Sequence, residues 1–552
     1  MSAADGNRGN GGGQRGQGNR RGQGDRSGQG NRGSRAQSRG GNRGSRGAGG
    51  SDRRDEAGRQ RHRGQGGSPR QYGSLSPAER ARTADPSRAT AFEVLRAVDQ
   101  DDAYANLALP AAIRRHHLDR RDAGLATELT YGTLRERGLL DAVVSRCVDR
   151  PLKRVDPPVL DVLRLGAYQL LFTRIPAHAA LDATVALTRD LVGAGAGGFV
   201  NAVLRRVSEK EPEEWKDLVS ESAADPVESL ALRYSHPAWI ARVLKQALVV
   251  HGRGAGELED LLAADNAAPA VNLVQLPGLG DDLTGELEAA GAQRSELVPG
   301  AWSTAAGGDP HRLPGVAEGV VRVQDAGSQL VARALAEVEL PGAGQDERWL
   351  DLCAGPGGKA ALSGAIAAQR GAHLVANEVA EHRAELVRKG LTAVPASAWT
   401  VRAGDGRTLG KKQPESFDRI MVDAPCSGLG ALRRRPEARW RKSAADIPDL
   451  TKLQTELLLS GLGALRPGGV LAYVTCSPHP AETVAVIEDV LHRRKDVTLL
   501  DTGAALDSAA GTSVGATRPA DSVIGSTTGS TVQLFPHAHG TDAMFMALLT
   551  RS

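Results

Sequence analysis

The stretch "DLCAGPGGKA", residues 351–360, decides the fold. An apolar run ends in Asp351 and Cys353, then enters a turn built of Gly355, Pro356, Gly357 and Gly358. "RWLDLCA" (348–354) reads as a strand and "AALSGAIAA" (360–368) as a helix. A strand, a glycine turn and a helix in that order form a nucleoside-binding unit, because glycine lets backbone N–H groups approach a ligand closely. The same rhythm continues downstream. "AHLVANE" (372–378) reads as the next strand, followed by a helix over 380–390. "FDRIMVDAP" (417–425) and "GGVLAYVTC" (468–476) are buried-strand runs, separated by a helix near 446–464. Alternation of this kind predicts an α/β fold with a mostly parallel sheet and helices on both faces. Ligands in such sheets bind at the carboxyl ends of the strands.

Working outward, the text upstream has a different period. From about 84 to 225 the apolar residues repeat at helical spacing: Phe92, Leu95 and Val98, then Leu160, Leu163, Ala167 and Leu170, then Val200, Val203, Leu204 and Val207. Pro151, Pro157, Pro158 and Pro176 punctuate the helices. An all-α domain of five to seven helices is expected over 84–225. Residues 226–330 read as a small mixed α/β lobe, with a short strand and turn in "APAVNLVQLPG" (268–278). Residues 331–552 complete the α/β domain.

The first 70 residues hold 22 Gly and 16 Arg against five acids, and no Val, Ile, Leu, Phe, Trp or Tyr. The chain's net charge is only +4, so the body of the protein is mildly acidic. A segment without apolar side chains cannot offset its chain entropy, and 1–75 is expected to be disordered. Gly/Arg repeats such as "RGGNRGSRG" (39–47) suit loose RNA contacts, and equally a solubilising tail.

Four widely spaced cysteines, Cys147, Cys353, Cys426 and Cys476, contain no CxxC pair. Neither a zinc site nor a disulfide scaffold is expected, and a reducing cytoplasm fits. No apolar run approaches a membrane span and no secretion signal is evident. A monomer is expected.

Gly355-x-Gly357-x-x-Ala360 matches the dinucleotide fingerprint only loosely, with Glu378 near the distance expected of a ribose-binding acid. A nicotinamide enzyme and an S-adenosylmethionine (SAM) enzyme look alike to this point. Asp405, in "AGDGR", and Asp423, in "DAPCSG", close the next two strand units. One acid per strand end suits a ligand with ribose, adenine and an ammonium-bearing end, and no pyrophosphate. Capping of the following helices is the alternative reading of such acids.

Cys426 and Cys476 each follow a strand and should emerge into the same crevice. A cysteine elsewhere is more often a small buried hydrophobe, which is the reading of Cys147; Cys353 is expected under the glycine loop. Two cysteines over a methyl donor suit chemistry at a pyrimidine. Carbon 5 of the ring is a poor nucleophile until a thiolate adds to carbon 6. The adduct must then lose its carbon-5 proton and expel the thiol.

"DLCAGPGGK", "DAPCSGLG" and "VTCSPHPAE", in that order, resemble the RNA 5-methylcytosine methyltransferases of the RsmB/NOP (Sun/NOL/NOP) family. The resemblance covers roughly 320–552 and includes "VQDAGSQL" (323–330). "DDAYANLAL", "ATELTYGTLR", "LRLGAYQLLF", "AHAALDATVAL" and "GFVNAVLRR" are similar to the NusB-like RNA-binding domain fused to the bacterial small-subunit members. The resemblance implies a Rossmann-like SAM-dependent methyltransferase domain behind an all-α NusB-like domain, acting on carbon 5 of a cytosine in 16S rRNA. It implies a SAM loop of Cys353, Ala354, Gly355, Pro356, Gly357, Gly358 and Lys359. It gives Glu378 the ribose, Asp405 the adenine, and Asp423 the methionine end or the target base. Cys476 becomes the nucleophile and Cys426 the residue assisting product release. DNA cytosine methyltransferases use the Pro-Cys cysteine as nucleophile, so Cys426 is the rival for that role.

Departures from the family pattern are Gly355 in place of the common Ala, "SPHPAE" after Cys476, and the final strand "DAMFMALL". Beside the crevice, "RRRPEARWRK" (433–442) carries six basic residues and Trp440. Phosphate contact and base stacking are expected of it. Arg205 and Arg206 of "LRR" (204–206) are read as surface charge or RNA contact. A non-catalytic RNA-binding assembly factor and, more distantly, a nicotinamide oxidoreductase are the rival functions.

Overall fold

Helix-start chemistry sets the first domain. Asp85 caps Pro86–Gln100 by accepting from the Arg88 N–H at 3.0 Å, with proline at the first helical position where its missing N–H costs nothing. Asp119 caps Arg120–Arg135 in the same way. The computed structural model describes residues 84–304, 310–342, 344–514 and 530–552. The tail expected over 1–75 lies outside the described residues. Eight α-helices occupy 86–220, rather than five to seven. One unforeseen break separates Arg120–Arg135 from Arg137–Cys147 at Glu136, where neither Pro nor Gly marks it. The predicted apolar faces meet in one core: Phe92, Leu95, Val98, Leu163, Ala167, Val200, Val203, Leu204 and Val207 are all buried. Cys147 lies in that core, and burial pushes its thiol up to about 11.

Three further helices, Pro226–Arg233, Ala238–Val250 and Leu258–Asn266, lead into a small antiparallel sheet. Its strands are β1 (Val271–Gln275), β2 (Gln293–Arg294), β3 (Ala301–Thr304) and β4 (Val321–Val323), in the order β2-β3-β1-β4.

The large sheet has eight strands: β5 (Arg348–Asp351), β6 (His373–Glu378), β7 (Trp399–Ala403), β8 (Phe417–Asp423), β9 (Leu465–Thr475), β10 (Val497–Leu499), β11 (Thr531–Gln533) and β12 (Phe545–Arg551). The order is β10-β12-β9-β8-β5-β6-β7, with β11 on β12. From β5 the chain steps outward to β6 and β7, then returns to lay β8 and β9 on the other side of β5. Strand order therefore reverses between β5 and β8, which opens a crevice there. Pairing is parallel from β7 through β9, and β12 runs antiparallel to β9 with Phe545 opposite Thr475. That reversal brings the start of β12 to the same edge as the ends of the other strands.

Both faces are covered, as the apolar strand runs require. Trp349, Met421, Ala472 and Met546 pack on one side in the core that includes the helices Ala326–Glu337, Gly358–Gln369 and Thr502–Ala510. Leu350, Ile420, Leu471 and Phe545 pack on the other with Ile447–Ala464 and Val484–Arg493. Neighbours in sequence take opposite faces, the period-two signature of strands. Among the described residues no helix is long and apolar enough to cross a membrane.

The basic segment 433–442 corrects an expectation. Instead of facing RNA as a whole, it braces the α/β sheet against the helical domain. Arg439 is fully buried and donates to the carbonyls of Arg135, Ser235 and Asp265 and to Asn266 Oδ1, at 2.7–3.2 Å. Burial draws its pKa down to about 10, so it stays charged at neutral pH. Arg441 donates to the carbonyls of Val98 and Ala103, and the Glu437 carboxylate accepts from the Ala105 N–H. Trp440 lies so close to Gly138 that a Cβ there would sit 2.5 Å from its ring. Arg433 and Arg434 both pair with Asp325 and Asp542. Arg435, exposed and over the Tyr104 ring, is the guanidinium of this segment left facing outward.

Each carbonyl orphaned by removing Arg439 costs about 1–3 kcal/mol. Arg439→Ala is expected to lose about 3 kcal/mol or more and to split thermal unfolding into two transitions, helical domain first. A single calorimetric peak at the wild-type temperature would show that the brace carries no load.

Candidate active site

All the strand-end residues singled out in the sequence meet at one edge of the large sheet, because β5 to β9 run parallel in register. The turn after β5 is tight for two local reasons. Gly357 has φ +110°, and a Cβ there would lie 3.1 Å from the Val387 backbone. Gly355 sits against Glu378, where a Cβ would fall 2.2 Å from the carboxylate. The Gly355 N–H donates to Glu378 Oε2 at 3.1 Å, and Ala380 N–H to the other oxygen. Arg383 closes the contact by donating to the Gly355 carbonyl at 2.7 Å. Gly358 then starts a twelve-residue helix whose N-terminal N–H groups face the crevice edge.

Asp351 is buried below the turn; burial, with Asp423 nearby, raises its carboxyl to about 7. Cys353 lies under the loop, its thiol pushed well up by burial. Asp405 does what the helix-capping alternative requires: its side chain accepts from the Arg407 N–H and caps a short 3-10 turn. It also pairs with the Arg407 guanidinium at 2.8 Å, which holds its pKa below the usual range. Glu378 and Asp405 thus sit at adjacent strand ends, β6 and β7, beside the glycine loop.

On the other side of β5, Lys359 Nζ lies 2.9 Å from Asp423 Oδ2. Burial opposes the Lys359 charge, but Asp423 outweighs it and keeps the lysine pKa above its ordinary value. The sulfurs of Cys426 and Cys476 are 3.4 Å apart. Either sulfur can donate in this contact. With Cys426 as the donor, its thiol is raised well above the ordinary value, by that hydrogen bond and by burial. Cys476, accepting in that arrangement, is lowered, first by the Cys426 hydrogen bond and further by the Lys359 charge, against burial and Asp423. The site therefore favours a thiolate at 476 next to a protonated thiol at 426.

Several participants had no sequence reading of their own. Glu482 is fully buried within reach of both cysteine loops. Asp325 and Asp542 anchor Arg433 and Arg434; Asp542 reaches this edge because β12 runs in reverse. The Ala543 N–H donates to the Gly430 carbonyl, and the Gly430 N–H to the Cys476 carbonyl. Each of these acids sits inside a quoted motif or beside one, yet only pairing across the sheet gives it a partner. Arg206, in the helical domain, is exposed and pairs with Asp149.

A site of this build fits a SAM-type group: a glycine loop at a helix N-terminus for a carboxylate, acids at successive strand ends for hydroxyls and amines, and two cysteine sulfurs on the far wall. Comparisons with known proteins agree. Residues 341–550 match the family model "16S rRNA methyltransferase RsmB/F", and residues 85–209 match the NusB family. Rv1407 of Mycobacterium tuberculosis, named only as a presumed methyltransferase, is 47% identical over 482 residues, 86% of this chain and 99% of its own length. The ribosomal RNA small subunit methyltransferase B of Pseudomonas putida is 36% identical over 419 residues, 75% of this chain and 91% of its own. The crystal structure of PH0851 superposes with a TM-score of 0.67 at 22% identity over 85% of this chain and 99% of its own, which establishes the shared fold. The chain, an all-α NusB domain followed by a Rossmann-like catalytic domain, belongs to the RsmB/F family of methyltransferases.

Proposed function

We propose that this protein transfers a methyl group from SAM to carbon 5 of a cytosine in small-subunit rRNA, through a covalent adduct between Cys476 and carbon 6. The observation that carries this reading is the pair of sulfurs, 3.4 Å apart at the carboxyl edge of the sheet beside the Lys359–Asp423 pair. The rRNA substrate is supported by the names of the relatives. The monomeric state and cytoplasmic location expected from sequence remain part of the proposal.

Bound SAM supplies an electrophilic methyl group on sulfur. Residues 353–359 would hold its amino-acid end, Glu378 its ribose and Asp405 its adenine. Lys359, paired with Asp423, joins the cofactor loop to the cysteine wall. The Cys476 thiolate adds to carbon 6 of the base, and the ring electrons make carbon 5 nucleophilic. After methyl transfer water takes up the carbon-5 proton as base, the electrons of that C–H bond re-form the double bond, and Cys476 departs as thiolate. Cys426, already hydrogen-bonded to the departing sulfur, assists that release. A target base in a duplex must first leave the stack to reach these atoms.

Assigning the nucleophile to 476 rather than 426 rests on the Lys359 charge, which acts on the Cys476 sulfur and favours thiolate there. Cys476→Ala is expected to abolish transfer of labelled methyl while SAM affinity stays within about twofold of wild type. Turnover retained in that variant would reject the assignment, and loss of SAM binding as well would leave the cysteine a structural part only.

Cys426→Ala is expected to accumulate a covalent protein–RNA species, seen as a slow band on a denaturing gel in the presence of SAM. Were Cys426 the nucleophile, the slow band would instead appear with Cys476→Ala.

The pH profile follows from the same charges. A thiolate nucleophile makes the rate rise with pH through the thiol pKa, and a lowered pKa puts that limb below the ordinary value of about 8.5. Lys359→Met removes the cation and frees Asp423, and both changes disfavour thiolate. At saturating SAM the acid limb of single-turnover transfer should move up by about one pH unit. An unmoved limb would place Lys359 outside the nucleophile's field.

A further inference from the structure

One carboxylate in the catalytic domain has no place in the chemistry above, yet it touches both halves of it. Glu482 follows the β9 loop in a short 3-10 turn, Pro480–Glu482, and is wholly buried. It accepts four hydrogen bonds. Oε1 takes the Ser427 N–H at 2.7 Å and Gln454 Nε2 at 3.0 Å. Oε2 takes the Ser427 hydroxyl at 2.5 Å and the Ser477 hydroxyl at 2.7 Å. Ser427 directly follows Cys426, and Ser477 directly follows Cys476. The two serine oxygens are themselves 3.0 Å apart. Gln454, from the helix Ile447–Ala464, also donates to the carbonyl of Pro425, the residue before Cys426. Tyr473, fully buried, holds the Glu482 carbonyl at 2.8 Å.

A buried carboxylate is costly unless all its acceptor positions are filled. Here they are filled by groups one residue away from each cysteine. We propose that Glu482 is a positioning residue for the reaction: it clamps the Pro-Cys loop to the loop after β9, so that the Cys426 and Cys476 sulfurs are held in contact. Packing alone does not account for the arrangement, because an apolar residue would leave the Ser427 N–H without its acceptor. Two backbone bonds also tie these loops, Ala424 N–H to the Val474 carbonyl and Gly430 N–H to the Cys476 carbonyl. They fix the flanks of the loops, whereas the carboxylate fixes the residue next to each sulfur. Ser427 supplies two of the four donors and Ser477 one.

The inference rests on the cysteine roles proposed above, and it is tested without RNA. The full-length protein is alkylated with iodoacetamide across a pH series, and the Cys476 peptide is followed by mass spectrometry. In wild type, Cys476 should react with an apparent pKa below that of an ordinary thiol. Glu482→Gln keeps size but replaces one acceptor oxygen by a donor. It should raise that apparent pKa and slow single-turnover methyl transfer about 100-fold, the scale expected of a displacement near 1 Å at a reacting group. SAM affinity and the thermal midpoint guard against simple unfolding. Ser427→Ala, which removes one donor and leaves the carboxylate in place, should move the alkylation profile part of the way. Unchanged Cys476 profiles in both variants would overturn the clamp, even if wild type makes 5-methylcytosine. If the profiles shift but wild type methylates no cytosine, the clamp stands and the proposed reaction falls.

Discussion

The structure turns on two sulfur atoms held in contact at the edge of a parallel sheet. A thiol near neutral pH is a weak nucleophile unless a neighbour stabilises its thiolate. Lys359 does this for Cys476 by its charge, and Cys426, in contact with the same sulfur, can do so by donating a hydrogen bond. Contact between residues 50 positions apart demands that β8 and β9 end level with each other. They do, because Asp423 pairs with Val474 in a parallel ladder that buries Ile420 and Leu471 on one face and Met421 and Ala472 on the other. The chemistry therefore depends on strand register, and the register depends on ordinary apolar burial. A slip of one residue would turn both faces inside out.

Much of this was legible in the chain. Short buried apolar runs and the glycine turn placed β5, β6, β8 and β9 within a few residues, and motif order placed both cysteines at one edge. The helical domain showed itself through its apolar spacing, although the break at Glu136 carries no proline or glycine and was invisible. Asp405 illustrates a residue for which two readings coexist: it caps a turn and it stands at the β7 strand end beside Glu378. Glu482 was hidden for a different reason. Its meaning comes from Ser427 and Gln454, 55 and 28 residues away, and no local pattern links them.

The segment 433–442 shows where composition misleads. Six basic residues and a tryptophan beside a nucleic-acid site suggest phosphate contact. Here Arg439 instead satisfies backbone carbonyls at a junction of helices, and Arg433 and Arg434 neutralise Asp325 and Asp542. Guanidinium groups are suited to this, since five fixed donors can serve several acceptors at once. The brace starts a few residues after Cys426 and ends on the helical domain. The site loop and the helical domain are thereby parts of one mechanical unit, built from the residues that looked most like an RNA contact.

The central claim is that this sulfur pair serves methylation at carbon 5 of cytosine. It is tested most directly by incubating the full-length protein with methyl-labelled SAM and small-subunit rRNA, digesting the RNA to nucleosides and locating the label. The account predicts label in 5-methylcytidine alone. Label in a ribose-methylated nucleoside or a purine would contradict it, since neither product calls for a thiolate addition to a pyrimidine ring, and label in 5-methyluridine would contradict cytosine as the target.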